Sequence, residues 1–374
     1  MYDVAVIGLG GMGSSAVYHL SKRGVNVIGF DQFSPPHDQG STHGRTRLIR
    51  QAYFEHPDYV PLIRRAYELW SELSHEWEHP LFHQVGLLEA GPADGKLIPG
   101  VRQSASEHRL TVENISREEA HSRFPGIVVP KEMEIVFEPT AGILDVEHCV
   151  EAALRLAQCQ GATLRFNETV IRWERDGQGF AIVTSAGRTL ASRLVIAGGP
   201  WGGKLLSSLS IPLRVLRKTL HWFATSDKSY DADSGFPAFL VETGHRYFYG
   251  FPVTDHLGLK VAEHSGGDVV DDPSVVERQE HPSDRAPLRE FVENWLPRVT
   301  QHQTAFATCL YTMSPDEHFI VGEHPTERGV YFIAGLSGHG FKFASVMGEV
   351  LADLALNGWT SHPIEFLSPL RFQR

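Results

Sequence analysis

Asp3-Val4-Ala5-Val6-Ile7-Gly8-Leu9-Gly10-Gly11-Met12-Gly13 is the stretch on which the fold of this chain turns. Asp3 to Ile7 is an apolar, partly β-branched run that stops at glycines, the pattern of a buried parallel strand. From Ser14 to Arg23, Ala16, Val17 and Leu20 recur at helical spacing. Gly24 supplies a stop, and Val25 to Phe30 reads as a second strand. The three elements make a βαβ unit whose parallel pairing and handedness follow the general rule for such crossovers. Glycines between strand and helix let backbone amides and the helix N-terminus approach a pyrophosphate, which makes Gly8, Gly10 and Gly13 cofactor-binding candidates. Asp31 ends the second strand 18 residues after Gly13, where an acid can accept hydrogen bonds from a ribose. Its charge argues against a 2'-phosphate, but the pattern does not separate NAD from FAD, which share the ribose and pyrophosphate it recognises.

Working outward, a chain of 374 residues with 42% hydrophobic and 21% charged residues can bury a sizeable core and divide into two or three units. A formal charge of −11 argues against a sequence-independent grip on nucleic acid or anionic lipid, though a local basic pocket stays open. Cys149, Cys159 and Cys309 are too few for a disulfide framework and fit a reducing, cytoplasmic setting. By residue type alone each reads as a buried, inert thiol. The N-terminus has no positive region ahead of its apolar run, and no window approaches the length of a spanning helix, so neither a secretion signal nor a membrane anchor is expected.

Farther along, a helix over Val146–Gln160 is followed by short strands at Ala162–Phe166, Ala181–Thr184 and Leu194–Ala197. The stretch from about Thr219 to Ala262 is rich in aromatic and β-branched residues with turn punctuation, which indicates an antiparallel sheet in a separate domain. The βα pattern then returns, with a strand at Val330–Ala334, a glycine-rich turn over Gly335–Gly340 and a helix over Phe343–Leu356. The expected architecture is α/β, with a discontinuous Rossmann-like domain (1–85, 142–213 and 308–374) and an antiparallel-sheet substrate domain (86–141 and 214–307). His75-Glu76-Trp77-Glu78-His79 is a literal H-E-x-x-H, but Pro80 follows at once and puts the second histidine at a helix end, so no metal site is expected.

Gly40-Ser41-Thr42-His43-Gly44-Arg45-Thr46-Arg47-Leu48-Ile49-Arg50 crowds three guanidiniums into one segment, a density that calls for anions or electron-rich carbonyls unless the loop is simply solvated. With Tyr249-Gly250-Phe251-Pro252, then Lys260 and His264, then Cys309-Leu310-Tyr311-Thr312, and Gly335-Leu336-Ser337-Gly338-His339-Gly340-Phe341-Lys342-Phe343, this segment resembles, in order and over nearly the entire chain, the monomeric sarcosine oxidase and N-methyltryptophan oxidase family.

That resemblance implies a flavoprotein amine oxidase with FAD attached through a thioether from Cys309. FAD contacts are implied for His43, Thr46, Arg47, Gly338, His339, Gly340 and Lys342. It implies that Arg50 and Lys342 bind the substrate carboxylate, the alternative for each being a structural ion pair. Leu240 and Gly338 would lie beside the substrate. Tyr249 and His264 would line its cavity, a satisfied structural histidine being the other reading of His264. Arg47 and Lys260 would flank the isoalloxazine, with Lys260 assisting oxygen reduction. The implied reaction oxidises a secondary amine of a small N-alkyl amino acid by O2 to an imine, hydrolysed to aldehyde and amine, with release of H2O2. N-methyltryptophan or a pipecolate-type cyclic amine are alternative substrates. A nicotinamide dehydrogenase or a non-catalytic dinucleotide-binding protein are alternatives of another class. A monomer with no nucleic-acid or membrane partner is expected. The sequence departs from the family pattern at Arg45, at Leu240 where sarcosine oxidases carry methionine, and in the lid segment Glu55-His56-Pro57-Asp58.

Overall fold

The computed structural model describes residues 1–372. The apolar run of the opening stretch forms the strand Tyr2–Ile7, which lies at the centre of a parallel sheet. Val27–Phe30 flanks it on one side, followed by Thr163–Arg165. Gly187–Ile196 flanks it on the other, followed by Val330–Ala334. An antiparallel strand, Ile320–Glu323, closes one edge, and the hairpin Val170–Asp176 with Gly179–Thr184 continues from the first half of Gly187–Ile196. Alternate residues of the central strand serve opposite faces, as the two-residue period requires. Val4 and Val6 pack into one cluster with the helices Gly11–Lys22, Tyr59–Trp77, Val146–Cys159 and Ala344–Asn357. Ala5 and Ile7 pack into another with Phe180, Ile182 and Phe332.

The first helix begins at Gly11, three residues before the expected Ser14. Glycine has low helix propensity, but here close packing demands it: a Cβ at Gly13 would run into the Gly8 carbonyl oxygen, so only glycine lets the helix sit this near the strand. Cys149 is buried as expected, whereas Cys159, at the end of its helix, is exposed, because the apolar stripe turns away from that last position. The helix Tyr59–Trp77 ends at a left-handed Glu78. His79 therefore lies off the helix that carries His75, and Glu76 is engaged by Lys22 at 2.6 Å.

The second sheet has nine strands and is antiparallel except where Ala238–Thr243 runs parallel to Leu87–Pro92. The helix Pro282–Trp295 covers its far face through a cluster around Phe239, Phe248 and Phe291. The strand Gln303–Met313 pairs along its length with Arg214–Phe223, so the expected division at residue 308 falls inside one strand of this sheet. A three-stranded sheet of Thr46–Ile49, Gly142–Asp145 and Phe82–Gln84 carries the arginine-rich segment between the two larger sheets.

Candidate active site

The parallel strands end at Ile7, Phe30 and Ala334, and a cavity of about 520 Å³ opens from these carboxyl ends toward the face of the nine-stranded sheet. Such crevices, where βα loops diverge, are where open α/β sheets bind ligands. Gly8, Gly10, Gly11 and Asp31 line one end, whereas Arg50, Glu55, Leu240, Tyr249, His264 and Lys342 line the other. Arg47, Gly338, His339 and Gly340 lie along the wall. Gly13, His43, Thr46, Lys260 and Cys309 stand behind the lining rather than in it.

At the glycine end, Asp31 accepts hydrogen bonds from the amides of Leu9 (2.7 Å) and Phe33 (2.9 Å), which fixes its carboxylate at the cavity edge. The amide of Gly11 donates to Thr42 Oγ1 at 3.3 Å, tying the loop that precedes the arginine-rich segment over the helix start.

In the middle, Arg47 donates to the carbonyls of Thr46 and Ser41, both at 2.9 Å, and reaches Cys309 Sγ at 3.5 Å. Cys309 sits opposite Lys218 in the sheet. Lys260 is fully buried. Its ammonium donates to the carbonyls of Gly44 (2.6 Å) and Thr46 (3.0 Å) and to Thr46 Oγ1 (3.2 Å), over the rings of Trp222 and Phe251. Burial, with Arg47 close by, holds its pKa well below that of an ordinary lysine. Burial likewise lowers His43 to about 4, and its Nε2 has no hydrogen-bond partner among the described residues. Gly338, at φ +80, faces the ring of Tyr311 so closely that any side chain would strike it.

At the far end, Arg50 donates to Glu55 at 2.6 Å and to the Ala52 carbonyl at 2.9 Å, with its guanidinium over the rings of Tyr53 and Phe54. Burial would push Glu55 up, but Arg50, His339 and Lys342 outweigh it and hold its pKa at about 2. Lys342 donates to the His339 carbonyl at 2.8 Å. Burial, then Arg50, brings its pKa down to about 7. His339 Nε2 lies 3.0 Å from the Glu317 carbonyl and must carry the proton, which leaves Nδ1 to accept from Tyr53 Oη at 2.5 Å. His264 contacts Tyr311 Oη at 3.4 Å, and burial followed by Lys218 lowers it to about 3, so it is neutral. Leu240 and Tyr249 are cross-strand partners and turn the same way, into the cavity.

Of the three clustered arginines, Arg45 departs from the expected grouping: its guanidinium is partly exposed and bound to Asp255 at 2.7 Å, outside the cavity lining. Sequence reading placed Glu55 only in a lid and passed over Glu89, Lys218 and Tyr311. Glu89 is a single acid on a strand remote in sequence from Arg50, and only its packing 4.0 Å from that guanidinium marks it.

Residues 3–354 match the model of the FAD dependent oxidoreductase family. The chain belongs to that family. Within it, the protein is 40% identical to monomeric sarcosine oxidase of Bacillus sp. (strain B-0618), over 98% of this chain and 95% of that one. It is equally, at 40%, similar to N-methyl-L-tryptophan oxidase of Salmonella arizonae, over 100% and 99% of the two chains. Among solved structures, it superposes on NikD, an unusual amino acid oxidase essential for nikkomycin biosynthesis, with a TM-score of 0.86, 25% identity and coverage of 98% and 97%. The expected resemblance, the α/β architecture and the flavoprotein amine oxidase class are thus borne out, and the nicotinamide alternative gives way to FAD. The residues fit that cofactor: a cavity walled by Gly8 and Gly10, an anchored acid at Asp31, and an unpartnered imidazole nitrogen on His43 beside Arg47. Among the described residues no helix is long and apolar enough to cross a membrane.

Proposed function

We propose that this protein oxidises the secondary amine of a small N-alkyl amino acid, sarcosine or a close analogue, with O2 as acceptor, yielding an imine that water hydrolyses and H2O2. The observation that carries this reading is the buried pair Arg50 and Lys342 at one end of a cavity otherwise walled by Leu240, Tyr249, Phe54 and neutral His264. Two cations against one ionised acid, Glu55, leave a net positive charge in an apolar setting, which favours a substrate carboxylate. The positive field also favours the free amine over its ammonium, the form with a lone pair able to support C–H cleavage.

FAD, when bound, supplies the two-electron acceptor and passes the electrons to O2. In this reading Gly8, Gly10, Gly13 and Asp31 hold its dinucleotide part, and His43, Thr46, Arg47, Gly338, His339 and Gly340 border the ring. Cys309 forms the covalent link. The Arg47 guanidinium lies 3.5 Å from Sγ, and a thiolate is the nucleophile that such a link requires. Arg47 keeps positive charge and Lys260 a proton-donating amine where oxygen is reduced, and Tyr249 and His264 position the N-alkyl end. Residues 1–85, 142–213 and 308–374 would form the FAD-binding part, and 86–141 with 214–307 the substrate part, acting as a cytoplasmic monomer. Equal identity to an N-methyl-L-tryptophan oxidase supports a second reading in which the substrate carries a larger side chain or a ring.

Acid precipitation tests the tether. Yellow colour should stay with the protein pellet and be lost to the supernatant in Cys309→Ala; colour in the supernatant of the parent would withdraw the covalent link. Peroxide release from a panel of sarcosine, N-methyl-L-tryptophan and pipecolate ranks the substrates, and silence with all three would overturn the proposal.

A further inference from the structure

Glu89 takes no part in this chemistry, yet it is a 0% exposed carboxyl with no hydrogen bond to either oxygen among the described residues. Its one cationic neighbour is Arg50, whose Nε lies 4.0 Å from Oε1 and is itself without a hydrogen-bond partner. Sheet register explains the meeting. Glu89 lies beside Leu240, and Leu240 lies opposite Tyr249, so all three side chains rise from the same face, the one that closes the cavity. Arg50 thus stands between two buried acids, Glu55 bonded to its Nη2 and Glu89 near its Nε.

We infer that Glu89 is a positioning residue that tunes carboxylate recognition: protonated it leaves Arg50 to the substrate, and ionised it draws Arg50 away. The inference rests on the proposed role of Arg50. The charges decide the direction. With Glu89 neutral, Arg50 and protonated Lys342 face Glu55 alone, and a net positive charge receives the substrate carboxylate. With Glu89 ionised, a second carboxylate faces the Arg50 guanidinium beside Glu55 and the attraction for the substrate carboxylate is cancelled. The groups facing Glu89 are Arg50, Glu55 and Glu138. Burial dominates their effect and raises its pKa well above that of a normal carboxyl, the two acids adding to burial and Arg50 opposing it. Glu138 is occupied by the amides of Gln51 (2.7 Å) and Ala52 (3.0 Å), so it does not compete for the guanidinium.

Butyrate separates this titration from that of the substrate. It is sarcosine with a methylene in place of the amine, so it keeps the carboxylate, cannot be oxidised as an amine and has no nitrogen to deprotonate. Its Kd, read from the perturbed flavin absorbance of the holoenzyme, is measured between about pH 6 and pH 10 for the parent and Glu89→Gln, each checked for flavin content. Because one competing ionisation changes affinity by up to about tenfold per pH unit, Glu89→Gln should bind butyrate more tightly than the parent wherever Glu89 is ionised, the gap widening by up to that factor per unit as pH rises. Lys342 also titrates in this range, so Lys342→Met is the second variant: its remaining alkaline loss of affinity belongs to Glu89, and it serves alone if Glu89→Gln does not fold. Superimposable profiles for parent and Glu89→Gln, or a flat profile in Lys342→Met, would overturn the role of Glu89. No butyrate binding by the parent at any pH would instead overturn the carboxylate-binding reading on which it rests.

Discussion

The two ends of the cavity are built from opposite materials. The glycine end is backbone: Gly8 to Gly10 turn the chain into a helix that starts at Gly11, and the carboxylate of Asp31 is held by two amides. The far end is side-chain charge: Arg50 bonds Glu55 and lies 4.0 Å from Glu89, which comes from another strand, and Lys342 joins them from the far end of the chain. A backbone site recognises a constant ligand through geometry and tolerates almost no added atom. A charge site recognises one functional group, responds to pH, and can change specificity by a single residue.

The comparison breaks most sharply at Gly13. Gly13→Val should push the helix Gly11–Lys22 off the first strand, costing on the order of 3 kcal/mol or more. Thermal melting and the flavin-to-protein absorbance ratio should both fall; normal flavin content would show that the turn is less constrained than its packing indicates. At the other end Arg50→Met should lower kcat/KM about a hundred- to thousandfold, mostly through KM, and lower the melting temperature as well, because Glu55 and Glu89 lose their buried cation. A smaller effect is expected of Asp31→Asn, which can keep only one of the two amide bonds and turns an NH2 toward the other N–H, a cost of roughly 1–3 kcal/mol that should reduce flavin incorporation without altering the KM of the mature enzyme.

The pH response sharpens the contrast further. Burial lowers Lys342 to about 7, so it is charged below that pH and neutral above it. Carboxylate affinity should therefore be greatest below about pH 7 and fall roughly tenfold as pH rises through it, while kcat rises with the fraction of free amine. Steady-state kinetics should show KM and kcat climbing together, and Lys342→Met should remove the KM step near neutrality. The smallest effect is reserved for the H-E-x-x-H segment: His79→Ala and exposure to a chelator should leave turnover unchanged within about twofold, as expected of a surface position.

What the sequence disclosed follows the same division. The strand, glycine turn, helix and acid at Asp31 were legible because local spacing alone encodes them. The strand at Val330–Ala334 was found to the residue because its apolar run is bounded by punctuation on both sides. Arg50 and Lys342 were visible only through family resemblance, and the structure now places both on the cavity wall. Glu89 was not legible as a partner, since it meets Arg50 through tertiary packing, and Glu55, five residues after Arg50, bonds it across an irregular turn that no helix or strand spacing records. The same limit applies to Arg45: three arginines within six positions read as one anion site, whereas Arg45, at φ +67, turns its guanidinium outward to Asp255.

The central claim is that this cavity oxidises an amine presented by its carboxylate. Anaerobic mixing of the holoenzyme with sarcosine, and in parallel with dimethylamine, which is sarcosine with the carboxylate replaced by hydrogen, tests it directly. The flavin absorbance should bleach with sarcosine or a bulkier N-methyl amino acid and persist with dimethylamine at the same concentration of free amine. Equal bleaching by both would contradict the role of Arg50 and Lys342, and no bleaching by any N-alkyl amino acid would contradict the proposed reaction itself.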